Sequence, residues 1–99
     1  MAPEVVQDQP SDFKSDVWSL GVILYALIGS GVPFSGRDRD TTAQNIISQE
    51  LSFKRSVWQS VSEGCKDVLT RMLEKDQDTR PSISEVLEHP WFAAAVLPQ

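Results

Sequence analysis

Between Val17 and Ile28 ten of twelve positions are apolar, and only Ser19 and Gly21 break the run. The segment predicts a helix over 15–29, opened by Ser15 or Asp16 as cap residues and stopped by Gly29. Its apolar residues (Val17, Trp18, Leu20, Val22, Ile23, Leu24, Tyr25, Ala26, Leu27 and Ile28) surround the helix and form no stripe, and a helix apolar on every side is normally buried on every side. Three amphipathic helices are predicted after it. One covers about 41–51, with Thr41 and Gln44 as a capping box and Ala43, Ile46, Ile47 and Leu51 on one face. The next, about 62–74, places Val61, Cys65, Val68, Leu69, Met72 and Leu73 at helical spacing. The last starts near 83 behind a Ser82/Glu85 capping box, with Ile83, Val86 and Leu87 inward and Pro90 at its end or at a kink. Trp91 and Phe92 then pack back.

The intervening stretches are polar or rich in Gly and Pro. Residues 5–14 predict a short turn or helix followed by a loop, and 29–36 predict a loop. Residues 52–60 are irregular, anchored by Phe53 and Trp58, and 75–80 form a polar turn. No β-strand pattern survives, so the expected fold class is all-α. The three stripes can cover about half of helix 15–29. Leaving four or five of its aliphatic side chains in water forfeits about 6–15 kcal/mol, comparable to the whole stability of a small domain, about 5–15 kcal/mol. Periodicity alone equally allows a compact four-helix unit. The alternative is a core completed by a partner.

Charge and composition narrow the classes. Ninety-nine residues allow one domain, and the net charge of −5 with no dense Lys/Arg cluster disfavours nucleic acid as a partner. The longest mainly apolar run is too short to span a bilayer, and no secretory signal is evident at the N-terminus. A lone Cys65 cannot form an internal disulfide and suits a reducing, cytoplasmic or nuclear setting. His89, the sole histidine, lacks the companions of a metal site. Cys65 lies on an apolar stripe, and Ser35, Ser62 and Ser82 have no paired His/Asp system.

Three segments carry a specific resemblance: Ala2-Pro3-Glu4, Asp16-Val17-Trp18-Ser19-Leu20-Gly21 and Asp78-Thr79-Arg80-Pro81. In this order and spacing they resemble the closing part of a eukaryotic protein kinase domain, whose activation segment ends in Ala-Pro-Glu. Leu20 to Tyr25 resembles serine/threonine kinases. Gly31-Val32-Pro33-Phe34, Trp58-x-x-Val61-Ser62, Arg71-Met72-Leu73 and His89-Pro90-Trp91-Phe92 look like the calcium/calmodulin-dependent kinase group, with a departure at Gln77, where that group usually has proline. Met1 stands where the family has an internal residue, which a truncated product, an incomplete gene model or an excised segment would each produce.

The resemblance implies the helical C-terminal subdomain of a kinase large lobe, built around a central apolar helix, over residues 1–92 with a tail at 93–99. It implies a buried ion pair between Glu4 and Arg80, with Asp16 and Trp18 as further structural residues. The family role of Asp16 is to hold the backbone of a catalytic loop, and its plain alternative is an N-cap. By position, Val32, Pro33 and Phe34, with Ile46 and Ile47, correspond to a substrate or regulator docking surface. The strings that carry the chemistry are missing: no Gly-x-Gly-x-x-Gly, His-Arg-Asp or Asp-Phe-Gly occurs. ATP and Mg²⁺ therefore belong to the intact parent, no catalytic, cofactor or metal residue is assigned, and the chain alone is expected to be inactive. The expected partners are a protein substrate or regulator, the missing kinase half, or a second copy. The competing function is a non-catalytic helical interaction module.

Overall fold

A computed structural model describes residues 1–9 and 13–92 of the chain. The expected tail, 93–99, and part of the loop expected before the central helix lie outside the described residues. Every regular element among the described residues is helical: α1 (Pro3–Val6), α2 (Lys14–Gly29), α3 (Arg39–Ser48), a 3₁₀ turn (Ser56–Ser60), α4 (Glu63–Met72) and α5 (Ile83–Glu88). No helix among them is long and apolar enough to cross a membrane.

The central element is α2, and it packs mainly on α4, while α1 packs on α3. Val17, Trp18, Gly21, Tyr25 and Gly29 are its buried residues, a stripe repeating at i+4. Gly21 lets the two helices approach, since a Cβ there would sit 3.0 Å from both Leu73 Cδ2 and Met72 Cβ. The core lies on both sides of this contact. One cluster gathers Trp18, Tyr25, Phe34, Trp58, Cys65, Leu69 and Leu73, and a second joins Val17, Val68, Met72 and Val86, with Trp91 and Phe92 packed against it.

The opposite side of α2 is bare. Leu20 is 43% exposed, Ile23 54% and Leu27 75%, and these residues at i, i+3 and i+7 share one face. The Cα atoms span only 16 Å along the thinnest direction, room for two packed helical layers with axes about 8–10 Å apart but not for a third. The described residues thus cover the apolar helix on one side only.

Several local expectations are corrected. Neither Ser15 nor Asp16 caps α2; Phe13 occupies the N-cap position without a side-chain cap bond, and Ser15 is turned to Glu4. Helix α3 starts two residues before Thr41, because Asp38 is its cap and accepts from the Thr41 amide at 2.8 Å. It ends at Ser48, so Leu51 lies beyond it. In α5 only Val86 is buried, and Ile83 and Leu87 face outward, because six residues make contact along a single line. The capping box Ser82/Glu85 is complete, and Ser62 caps α4 by accepting from the Cys65 amide.

Helix α2 ends through Ser30, in the left-handed region at φ 61°. Gly29 is still helical and is required for another reason: a Cβ there would lie 2.3 Å from Trp58 Cζ2. Gly29→Ala is expected to destabilise the fold by about 1–3 kcal/mol through overpacking. Gly64→Ala, whose Cβ meets nothing closer than 3.7 Å, is expected to be neutral or stabilising by up to about 1 kcal/mol. Paired thermal melts check the contrast.

Candidate functional site

The polar centre of the molecule is a buried ion pair between residues 76 positions apart. Glu4 is 2% exposed and Arg80 1%. Arg80 Nη1 donates to Glu4 Oε2 at 2.8 Å and Nη2 to Glu4 Oε1 at 2.9 Å, a bidentate fork. The remaining guanidinium donors are all used. Nη1 also reaches the Lys14 carbonyl at 2.9 Å, Nε the Glu74 carbonyl at 2.8 Å and Nη2 the Lys75 carbonyl at 3.3 Å. A guanidinium has five N–H groups, and none here lacks an acceptor. Ser15 Oγ adds a donor to Glu4 Oε2 at 2.6 Å. The Arg80 hydrogen bonds outweigh burial and hold the Glu4 carboxyl at a pKa of about 2, well below its ordinary 4.5.

The loop carrying Arg80 is shaped by Asp76. Its carboxylate accepts from the Asp78 amide at 2.9 Å and from Thr79 Oγ1 at 3.3 Å, while its carbonyl accepts from the Arg80 amide at 2.9 Å. This Asx-type turn forms with glutamine at 77, so the missing proline is not needed to make the bend.

Trp18 lies against the pair. Arg80 Cζ is 5.2 Å from its ring centroid, and Phe34 stacks on it at 5.8 Å with an interplanar angle of 13°. Phe34 is therefore a core side chain and not an exposed docking residue, since the aromatic stack buries it. Of the other positions expected at a docking surface, Val32 is exposed and Pro33, Ile46 and Ile47 are half-buried. Asp16 is exposed in the first turn of α2 and holds no side-chain hydrogen bond among the described residues.

Sequence reasoning missed Lys75, which it placed in a polar turn. Lys75 is half-buried, its Nζ donates to the Ile46 carbonyl at 2.5 Å and lies 3.9 Å from the Phe34 centroid. Burial pushes its pKa down. It also missed Ser15 as a Glu4 ligand, because a Ser at a helix start reads first as a cap. A groove between α1 and α3 is lined by Val5, Val6, Ala43 and Ile46 together with Asp38 and Asp40. No three His, Cys, Asp or Glu side chains among the described residues are grouped to hold a metal ion.

Comparison with known proteins places this geometry. The protein kinase domain family model matches residues 1–92. The chain is 44% identical over 92 residues to the serine/threonine-protein kinase PEPKR2 of Arabidopsis thaliana, covering 93% of this chain and 19% of that protein. It is 43% identical over 95 residues to calcium-dependent protein kinase 3 of Oryza sativa subsp. japonica, covering 96% and 17%. The twitchin kinase region from C. elegans superimposes with a TM-score of 0.89 at 36% identity, over 99% of this chain and 17% of that one. The chain thus spans less than a fifth of the length of these relatives.

Removing one partner of a buried pair strands the other. Arg80→Ala is expected to cost about 3–5 kcal/mol, and Arg37→Ala, in an exposed loop, under about 0.5 kcal/mol. Urea melts at neutral pH compare them, and equal shifts would remove the clamp. The depressed Glu4 pKa means its contribution is fully present above pH 4.5 and is lost as pH falls toward 2. The shift corresponds to about 3 kcal/mol. Over that window Glu4→Gln is expected to show a flatter acid dependence than the parent chain.

Proposed function

The chain belongs to the protein kinase domain family and covers the C-terminal part of that domain, and from this premise we propose that it is the scaffold and docking portion of an ATP-dependent protein serine/threonine kinase. The observation that carries the reading is the contrast between the two sides of α2. One side ends in a fully satisfied ion pair and a packed core, and the other leaves Leu20, Ile23 and Leu27 in water. A helix of this composition is stable when both sides are covered, and the matched segment makes up less than a fifth of the relatives' length.

In this reading the bare side of α2 receives the rest of the kinase domain. The phosphate-binding and metal-binding groups lie in that remainder, which binds ATP and Mg²⁺ as kinases do. The 99 residues supply rigidity: they hold the end of the activation segment, at Ala2 to Glu4, against the helical body. Val32, Pro33, Ile46 and Ile47, beside the α1/α3 groove, form the surface that meets a protein substrate or regulator, with Phe34 as the buried support beneath Val32 and Pro33. The exposed α2 stripe by itself also favours a second reading, a non-catalytic module that pairs through this face with a protein partner or a second copy.

The test is a chimera in which residues 1–92 replace the matching segment of the Oryza sativa calcium-dependent protein kinase 3. The chimera is expected to phosphorylate a serine peptide, and the 99-residue chain alone is expected to show no ATP turnover above a heat-killed control. Turnover by the chain alone, or a folded chimera without activity, overturns the reading. Replacing Leu20, Ile23 and Leu27 by serine should abolish the chimera's folding, since each buried aliphatic contributes about 1.5–3 kcal/mol. The same replacement should leave the isolated chain folded. A concentration-dependent oligomer of the isolated chain that these replacements dissolve selects the second reading.

A further inference from the structure

Helix α3 is held differently from every other long helix in the molecule. It contains no buried residue, whereas α2 and α4 each carry a buried stripe. It packs on α1 and sets half-buried Ile46 against the core, and polar contacts fasten its flanks. Asn45 Nδ2 donates to the Ser35 carbonyl at 2.7 Å, and the Gly36 amide donates to Thr42 Oγ1 at 2.9 Å. Both join α3 to the loop that ends in Ser35 and Gly36, so loop and helix form one unit. Phe34 anchors the loop in the core, and the contact that ties the C-terminal end of α3 to the ion-pair loop is of another kind. Lys75 Nζ donates to the carbonyl of Ile46, one of the last-turn carbonyls that a helix leaves without an amide partner. The same ammonium lies over Phe34, which is stacked on Trp18. The backbone carbonyl of Lys75 accepts from Arg80. One residue therefore touches the ion-pair loop, the aromatic stack and the end of α3.

We infer that Lys75 is the positioning residue for the C-terminal end of α3: its ammonium pins that end to the ion-pair loop and the Phe34 ring, and without the charge α3 loosens while the core, Phe34 included, stays folded. The physical reason is the distribution of contacts. Apolar burial holds α2 against α4 regardless of Lys75. For α3, a charge-assisted hydrogen bond and a cation–π contact supplement the half-burial of Ile46. The consequence for function rests on the docking role proposed for α3.

Amide hydrogen exchange on the 99-residue chain tests the pin. In Lys75→Met, which keeps the apolar stem, amides of α3 are expected to exchange at least about tenfold faster, with those of α4 unchanged. Lys75→Arg, which keeps the charge, is expected to restore most of the protection. Unchanged exchange in α3, or an equal acceleration in α3 and α4, overturns the inference, the second because it reports a loss of global stability only. Should the Met variant fail to fold, competitive acylation of the unmutated chain with acetic anhydride decides. Labelling over a pH series separates each amine's protonation from its intrinsic rate; the intrinsic rate of Lys75 is expected to be at least about tenfold below that of exposed Lys54, and equal intrinsic rates remove the pin. In the chimera, Lys75→Met is expected to raise KM for a protein substrate with kcat unchanged. Local loosening of α3 without a change in KM leaves the pin standing and removes the docking role.

Discussion

A carboxylate and a guanidinium can leave water together only if each is matched, and the Glu4–Arg80 pair sets the architecture through that condition. Breaking even against desolvation needs close geometry and no spare donors. Arg80 meets it with five acceptors drawn from three places: the Glu4 carboxylate on α1, the Lys14 carbonyl at the start of α2, and the Glu74 and Lys75 carbonyls after α4. None of these can shift without stranding a buried N–H. The pair therefore acts less as a source of net stability than as a coordinate system. It fixes where α1 and the first turn of α2 lie relative to the loop between α4 and α5, although 76 residues separate its members.

How much of this was legible depended on the kind of signal. Apolar periodicity read α4 well, because one face is buried along its length at Cys65, Val68, Leu69 and Met72. It over-assigned α5, where the pattern Ile83, Val86, Leu87 looks like a face but a six-residue helix buries only Val86. Caps were legible where one Ser had one partner, as at Ser82 and Glu85, and ambiguous where candidates crowded. Asp38, Asp40, Thr41 and Thr42 all suit an N-terminus, and geometry selected Asp38. Ser15 was misread for a related reason: its hydroxyl has a carboxylate partner eleven residues earlier, which no local rule anticipates.

The site divides along the same line. Glu4 and Arg80 could be paired from their motifs, because buried charges need partners and the spacing matched a known pattern. Phe34 was assigned to a docking surface by its position in the resemblance, yet its ring is buried on Trp18. Lys75 was invisible. A lysine in a polar turn is ordinarily solvated, and only the fold brings the Ile46 carbonyl and the Phe34 ring to its ammonium.

These contacts arrange the molecule as a gradient from rigid to adjustable. At the rigid end, α2 and α4 meet so closely that Gly21 has no room for a Cβ without displacing Met72 or Leu73. The ion pair comes next, buried and fully matched, then the Trp18–Phe34 stack that lies beside it. At the adjustable end, α3 has no fully buried residue and rests on α1, on half-buried Ile46 and on polar contacts at its flanks. Apolar burial resists displacement through the full area lost, whereas a hydrogen bond to an exposed helix end can be exchanged for one to water at small cost. An element held this way can shift without opening the core. The end of α3 is in this way separable from the Glu4–Arg80 pair, and Lys75 is the polar link between them, beside the apolar contacts of Phe34 and Ile46.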